Sequence, residues 1–217
     1  MNTFSWDLFE AAPIVGIIRN LPLEHITNIA TCYADAGLTT IEITLNTPGA
    51  LQAITELASV MGNRLNIGAG TVCSMEELDL AINAGAGFIV TPVINDAVIR
   101  KCVENKITIF PGAYTPSEIY HAWSLGAEMI KVFPATKLGI DYIKDVLAPL
   151  NQIKLMPTGG VSLQNCAAFF KAGARGVGMG SNLFPKELIA ANDWQSLTKN
   201  FQQYNSLLRE IRAAATV

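Results

Sequence analysis

The sequence predicts an α/β fold, a single (β/α)8 barrel of the TIM type spanning residues 1–217. Three observations carry that expectation. Eight short apolar runs of strand character alternate with helix-like stretches over about 180 residues, enough for eight strand–helix units. No GxGxxG follows the first strand, which argues against the runner-up architecture, an open doubly wound sheet. Glycine-rich ends fall instead at strands three, seven and eight. Finally, Gly37, Gly85, Gly126 and Gly173 each stand just before an even-numbered strand, at spacings of 48, 41 and 47 residues. Glycine there suits a left-handed helix C-cap, and a four-fold repeat of two units suits a barrel with alternating interior layers. Turns from helix to strand favour glycine in any case, so the repeat supports closure without requiring it.

The elements follow in order. A short helix is expected over 4–11. The first strand, 13–19, is apolar and ends in Arg19, and a helix follows over 23–36. The second strand is 40–45, and Pro48 is expected to open the next helix, where proline is tolerated. The third strand, 66–72, is followed by Ser74 and, three residues on, Glu77, the pattern of a capping box. Strands four and five are read at 87–92 and 107–112. The sixth lies within 128–135 and carries Lys131; the seventh is 154–160 and the eighth 175–181. A helix over 194–214 closes the chain.

Composition bounds the class of protein. Half of the residues are hydrophobic and 15% are charged, so a large core is available. The net charge of −3, with no basic block, argues against nucleic acid as a partner. Apolar runs are too short for a membrane span and the start lacks signal-peptide features, so a soluble cytoplasmic protein is expected. Cys32, Cys73, Cys102 and Cys166 are scattered without a CxxC pair, which favours packing roles over metal binding or disulfides.

Chemistry collects at the C-terminal ends of the strands, where barrel enzymes place their active sites. Arg19, Glu42, Thr71, Lys131, Thr158, Gly159, Gly160, Gly180 and Ser181 fall there, strand by strand. Burying the Lys131 ammonium is costly, so the group tends to lose its proton and become a nucleophile for ketones. Alternation puts Thr40, Glu42 and Thr44 on one face of the second strand and Ile41, Ile43 and Leu45 on the other. Met129, Lys131 and Phe133 alternate with Ile130 and Val132 in the same way. Glu42 and Lys131 can therefore both point inward, either as a structural ion pair or as a proton shuttle beside a nucleophile.

Thr-Gly-Gly at the seventh strand and Gly-Ser at the eighth expose backbone N–H groups where barrels bind phosphate. Arg19 and Thr71 are candidates for a second anion, such as a carboxylate, though Arg19 could equally form a salt bridge at the barrel rim. His25 and His121 fall in predicted helices, where packing or surface roles are expected. Carboxylates are not clustered at strand ends, so neither a catalytic metal nor a cofactor is expected.

These residues also carry a resemblance. Ile-Glu-Ile-Thr-Leu (41–45), Gly-Ala-Gly-Thr-Val (68–72), Pro-Gly-Ala-Tyr-Thr-Pro-Ser-Glu (111–118), Lys-Val-Phe-Pro-Ala (131–135) and Pro-Thr-Gly-Gly-Val (157–161) together resemble the KDPG/KHG aldolase family. These are class I pyruvate aldolases acting on 2-keto-3-deoxy-6-phospho sugar acids and on 4-hydroxy-2-oxoglutarate. The resemblance implies that Lys131 forms a Schiff base and Glu42 is the general acid/base. It further implies that Thr71 binds the pyruvyl carboxylate, that Gly159, Gly160 and Ser181 bind the distal phosphate, and that the protein is a homotrimer. Gluconate-type members continue the glutamate motif as Thr-Leu-Arg-Thr. Here Thr44-Leu45-Asn46-Thr47-Pro48 is more similar to the 6-phosphogalactonate type, in which an arginine ending the first strand, the place of Arg19, holds the carboxylate. Thr44 itself is a position where the galactonate type can differ, so the epimer preference is left open.

Two rival readings stand beside the aldolase. One is a phosphosugar-binding barrel without catalysis, which would have no need of both Glu42 and Lys131. The other is a different phosphate-binding barrel enzyme, such as an epimerase or thiamin phosphate synthase, whose metal-binding or pyrophosphate-handling groups are not found in the sequence.

Overall fold

The computed structural model describes residues 3–215; the ends of the predicted domain, residues 1, 2, 216 and 217, lie outside the described residues. Short apolar runs form the parallel strands β1 (Ile14–Ile18), β2 (Thr40–Thr44), β3 (Asn66–Gly70), β4 (Phe88–Val90) and β5 (Thr108–Phe110). These are followed by β6 (Gly112–Ala113), β7 (Ile130–Val132), β8 (Leu155–Pro157) and β9 (Val177–Met179). Six pair in the order β5-β4-β3-β2-β1-β9, and three in the order β6-β7-β8. The fifth predicted strand is thus divided into β5 and β6 at Pro111, which has no N–H to give to a ladder. Its carbonyl still accepts from the Lys131 N–H at 2.9 Å. An isolated parallel bridge, Thr158 to Gly178, joins the chain just after β8 to β9. The fold is α/β with parallel sheets.

The helices are α1 (Trp6–Ala11), α2 (Ile26–Asp35), α3 (Ala50–Met61), α4 (Met75–Asn83) and α5 (Asp96–Glu104). After them come α6 (Pro116–Ser124), α7 (Ala135–Leu147), α8 (Cys166–Lys171), α9 (Lys186–Ala190) and α10 (Trp194–Ala215). The Ser74–Glu77 capping box at α4 forms as expected, and Thr115–Glu118 makes a second one at α6, with Pro116 in the first turn. Each cap is worth about 1 kcal/mol. Pro48 does not open α3. Thr47 N–H closes a turn on the Thr44 carbonyl, and Gly49 then takes a left-handed φ of 76° as the N-cap, so Pro48 belongs to the turn. The four repeat glycines, Gly37, Gly85, Gly126 and Gly173, all have positive φ, from 81° to 105°. The short α9 was not anticipated.

Strand alternation sorts the core into two clusters. Ile41, Ile43, Ile130 and Val132 join the large cluster with the helices, including Ile54, Leu57 and Ile143. On the opposite face of the strands, Val15, Phe88, Val90, Phe110, Met129 and Met156 pack with Phe4 and Phe9. Helix α1 supplies Phe9 and lies across the N-terminal ends of the strands. Asn66, the first residue of β3, exchanges hydrogen bonds with the backbone of Ser5, and Thr39 Oγ1 donates to the Leu8 carbonyl at 2.6 Å. At the other end of the chain, α10 holds the loop after β9. Tyr204 Oη donates to the Asn182 carbonyl at 2.8 Å and Asn200 Nδ2 to the Leu183 carbonyl at 3.0 Å.

Cys32, Cys102 and Cys166 are buried, as packing roles predict. Cys73 is exposed instead, because it stands outside α4 with its N–H given to Glu77. His25 packs edge-on against Trp194, and His121 pairs with Asp96 at 2.8 Å on the surface. Among the described residues no helix is long and apolar enough to cross a membrane.

Candidate active site

Lys131 is the middle residue of β7, in register with Gly112 and Met156, and is 3% exposed. Glu42 is the middle residue of β2, in register with Ile17 and Gly68, and is 1% exposed. Both Glu42 oxygens are buried without a hydrogen-bond partner among the described residues. A carboxylate so placed loses its hydration with nothing in exchange. Burial therefore pushes the Glu42 carboxyl above the usual carboxylate range, against weaker pulls from Lys131 and Arg19. Burial likewise holds Lys131 below its ordinary value, with Glu42 opposing and Arg19 assisting.

The two groups feel each other without closing to ion-pair distance. Ion pairs that do close include Arg64–Asp35 and His121–Asp96, both on the surface. The structural ion pair that the sequence allowed is absent, and both groups are driven toward their neutral forms. A neutral amine is a nucleophile, and a carboxyl with a raised pKa can exchange protons near neutral pH. Lys131 Nζ also lies 5.0 Å above the centre of the Phe133 ring.

Lys131 opens into a cavity of about 300 Å³. Seven of the nine residues predicted for the site line it: Arg19, Lys131, Thr158, Gly159, Gly160, Gly180 and Ser181. Glu42 does not reach the wall, because its carboxyl is fully enclosed between β2 and β3. Thr71 is half-buried beyond the end of β3 and is also not on the wall. It has a φ of 60°, in the left-handed region that side chains rarely adopt.

The far end of the cavity is formed by the glycine turns after β8 and β9. Gly159 and Gly160 take φ values of 94° and 74°, and a Cβ on Gly160 would stand 3.0 Å from Thr136 Oγ1. Glycine is thus needed both for the turn and for the space. Asn165 fixes this loop by donating to the Gly160 carbonyl and accepting from the Ser162 N–H. Asn182 Nδ2 donates to the Val161 carbonyl at 2.9 Å and so ties the loop after β9 to the loop after β8. Sequence reasoning missed Asn182 and Lys186, which also line the cavity. Asn182 follows Ser181 directly, but its clamp needs a partner 21 residues away, and Lys186 sits on the unanticipated α9. No group of three or more His, Cys, Asp or Glu among the described residues is placed to hold a metal ion.

The chain is similar in sequence and fold to known proteins. The profile of the KDPG and KHG aldolase family matches residues 7–200. The 2-dehydro-3-deoxy-6-phosphogalactonate aldolase of Escherichia coli K12 is 34% identical over 203 residues, covering 93% of this chain and 96% of that one. A native KDPGal structure superposes with a TM-score of 0.87 at 31% identity, over 98% of this chain and all of the other. KDPG aldolase from Legionella pneumophila, solved with pyruvate captured as a covalent carbinolamine intermediate, gives a TM-score of 0.81 at 28% identity, over 90% and 95% of the two chains. Fold and relatives define a carbon–carbon lyase of the aldolase class. The chain belongs to the KDPG and KHG aldolase family.

Proposed function

We propose that this protein is a class I aldolase that reversibly cleaves a 2-keto-3-deoxy-6-phospho sugar acid to pyruvate and glyceraldehyde 3-phosphate. The observation that carries the reading is the placement of Lys131, buried and with its pKa lowered, at the inner end of a cavity whose outer end is lined by Gly159, Gly160, Gly180 and Ser181. Lys131 Nζ adds to the C2 ketone, and loss of water leaves a protonated imine. That imine accepts the electron pair of the C3–C4 bond as Glu42 removes the C4 hydroxyl proton, and the aldehyde departs. The enamine takes a proton at C3, and water releases pyruvate from Lys131. Glu42 moves those protons from within the wall as substrate seats or through a bridging water. Arg19 holds the carboxylate from the cavity wall, with Thr71, which stands off the wall beyond β3, completing that site as the family resemblance implies; the backbone of Gly159, Gly160 and Gly180, with Ser181 and the Thr158 turn, holds the phosphate. The same lysine chemistry extends to 4-hydroxy-2-oxoglutarate, and C4 of the sugar acid is taken in the gluconate or the galactonate configuration.

The reading includes a closed (β/α)8 barrel forming one domain, supported by the Thr158–Gly178 bridge and by the continuity of the chain through Pro111. It also includes a homotrimer, as the family resemblance implies, and a cytoplasmic location, as the sequence composition suggests. Borohydride reduction in the presence of pyruvate, followed by peptide mass spectrometry, tests the chemistry. A reduced pyruvyl adduct on Lys131 is expected. No adduct, or one on exposed lysines such as Lys137 or Lys154, would sink the reading in favour of a phosphate-binding barrel with other chemistry.

A further inference from the structure

We infer that Lys186 is a side-chain ligand for the distal phosphate and sets the preference for phosphorylated over unphosphorylated 2-keto-3-deoxy acids, an inference that rests on the aldolase reading above. The cavity wall carries three basic side chains, Arg19, Lys131 and Lys186, and no aspartate or glutamate. Yet acidic residues outnumber basic ones, 18 to 15, in the chain as a whole. A wall of one sign in an acidic protein attracts an anion in preference to a neutral sugar. A substrate with one carboxylate and one phosphate carries about 2.5 to 3 negative charges at pH 7.

The three cations divide between the substrate's groups. Lys131 sits at the buried end and acts as the amine. Arg19 follows directly on β1 and shares the cavity wall with Lys131, close enough to Lys131 and Glu42 to influence the protonation of both, which puts it at the carboxylate end. That leaves Lys186, five residues after Ser181, as the charge for the phosphate. Backbone N–H groups of the glycine turns supply dipoles but no net charge, so a dianion bound by them alone is incompletely neutralised.

The loop that carries Lys186 is held at several points. Leu183 and Phe184 N–H groups close on the Gly180 carbonyl, Asn182 clamps the neighbouring loop, and Tyr204 holds the Asn182 carbonyl. Its backbone is fixed while its ammonium is exposed, and among the described residues no carboxylate stands within ion-pair distance of it. Its charge is therefore not already neutralised within the fold, and it lies on the wall of the cavity beside Ser181 and Asn182.

The test compares wild type, Lys186→Ala and Lys186→Arg on a 2-keto-3-deoxy-6-phospho sugar acid and on its dephosphorylated counterpart. The readout is the ratio of the two kcat/KM values, with borohydride trapping of pyruvate as a check that each variant is folded and able to form the imine. The ratio is expected to fall tenfold or more in Lys186→Ala and to be largely restored in Lys186→Arg, with the loss appearing mainly in KM. An unchanged ratio, or a parallel fall on both substrates, would overturn the role of Lys186 while leaving the aldolase chemistry standing. Failure of the wild type to trap pyruvate would overturn the aldolase reading and this inference with it.

Discussion

A Cβ added to Gly70 would stand 2.7 Å from Glu42 Oε1 and 2.9 Å from its Cδ. The bare backbone of β3 is therefore the wall against which the carboxyl of β2 rests. Neither atom has room to retreat, since Glu42 is enclosed on every side. Gly70→Ala must turn the carboxyl or spread β2 from β3. We expect kcat to fall at least tenfold and stability to fall by about 1–3 kcal/mol, the usual cost of overpacking. Steady-state kinetics and urea denaturation check the two effects.

Glu42→Gln separates chemistry from stability. Cleavage is expected to slow by about 10²–10⁴-fold, the range for losing a general acid/base. Stability moves the other way. The folded-state pKa of Glu42 is raised, so its protonated form favours folding below the ordinary value of 4.5. That contribution is lost as pH rises through the folded pKa, because the unfolded chain ionises more easily. The variant should therefore melt higher than wild type at pH 7, with the difference closing near pH 4. Calorimetric scans at both pH values measure it.

The pH profile of kcat/KM reports on Lys131. Because burial lowers its pKa from 10.5, the neutral amine is populated at lower pH than in a solvated lysine. Activity should rise from acid pH and level off before pH 9. A profile still climbing steeply above pH 9 would show a solvated lysine and count against the nucleophile assigned here.

Phe9 is 1% exposed and stands in the aromatic cluster under the strands, far from the cavity. Phe9→Ala should destabilise the protein by about 3–5 kcal/mol through the void it leaves. Turnover per folded molecule should change by less than about twofold if that cluster is purely structural. Thermal melts and active-site titration with pyruvate and borohydride distinguish loss of fold from loss of function.

Much of this was legible in the sequence because it follows from period and parity. Alternation along residues 40–45 and 129–133 placed Glu42 and Lys131 on the inward face, and the structure puts Ile41, Ile43, Ile130 and Val132 against the helices. The glycines before the even strands announced their left-handed turns. What stayed hidden depends on contacts distant in the chain. The depth of Glu42 is set by Gly70, and the Asn182 clamp needs the Val161 carbonyl. Pro48 was misread because the adjacent Gly49 takes the cap, a choice fixed by the turn from Thr44 to Thr47. Thr71 was read within a strand over 66–72, but β3 ends at Gly70 and Thr71 takes a left-handed backbone beyond it, off the cavity wall.

The aromatic cluster beneath the strands has a kinetic counterpart. Phe4, Phe9, Phe88 and Phe110 stop the interior at one end, while exposure increases from Lys131 toward Gly160 and Ser181 at the other. Traffic in such a dead-end chamber is last in, first out. The phosphate-bearing aldehyde forms at the mouth and can diffuse away at once, whereas pyruvate stays tethered at the blind end until its imine is hydrolysed. In the synthetic direction the order inverts: pyruvate must load first, and an aldehyde that arrives early obstructs the passage.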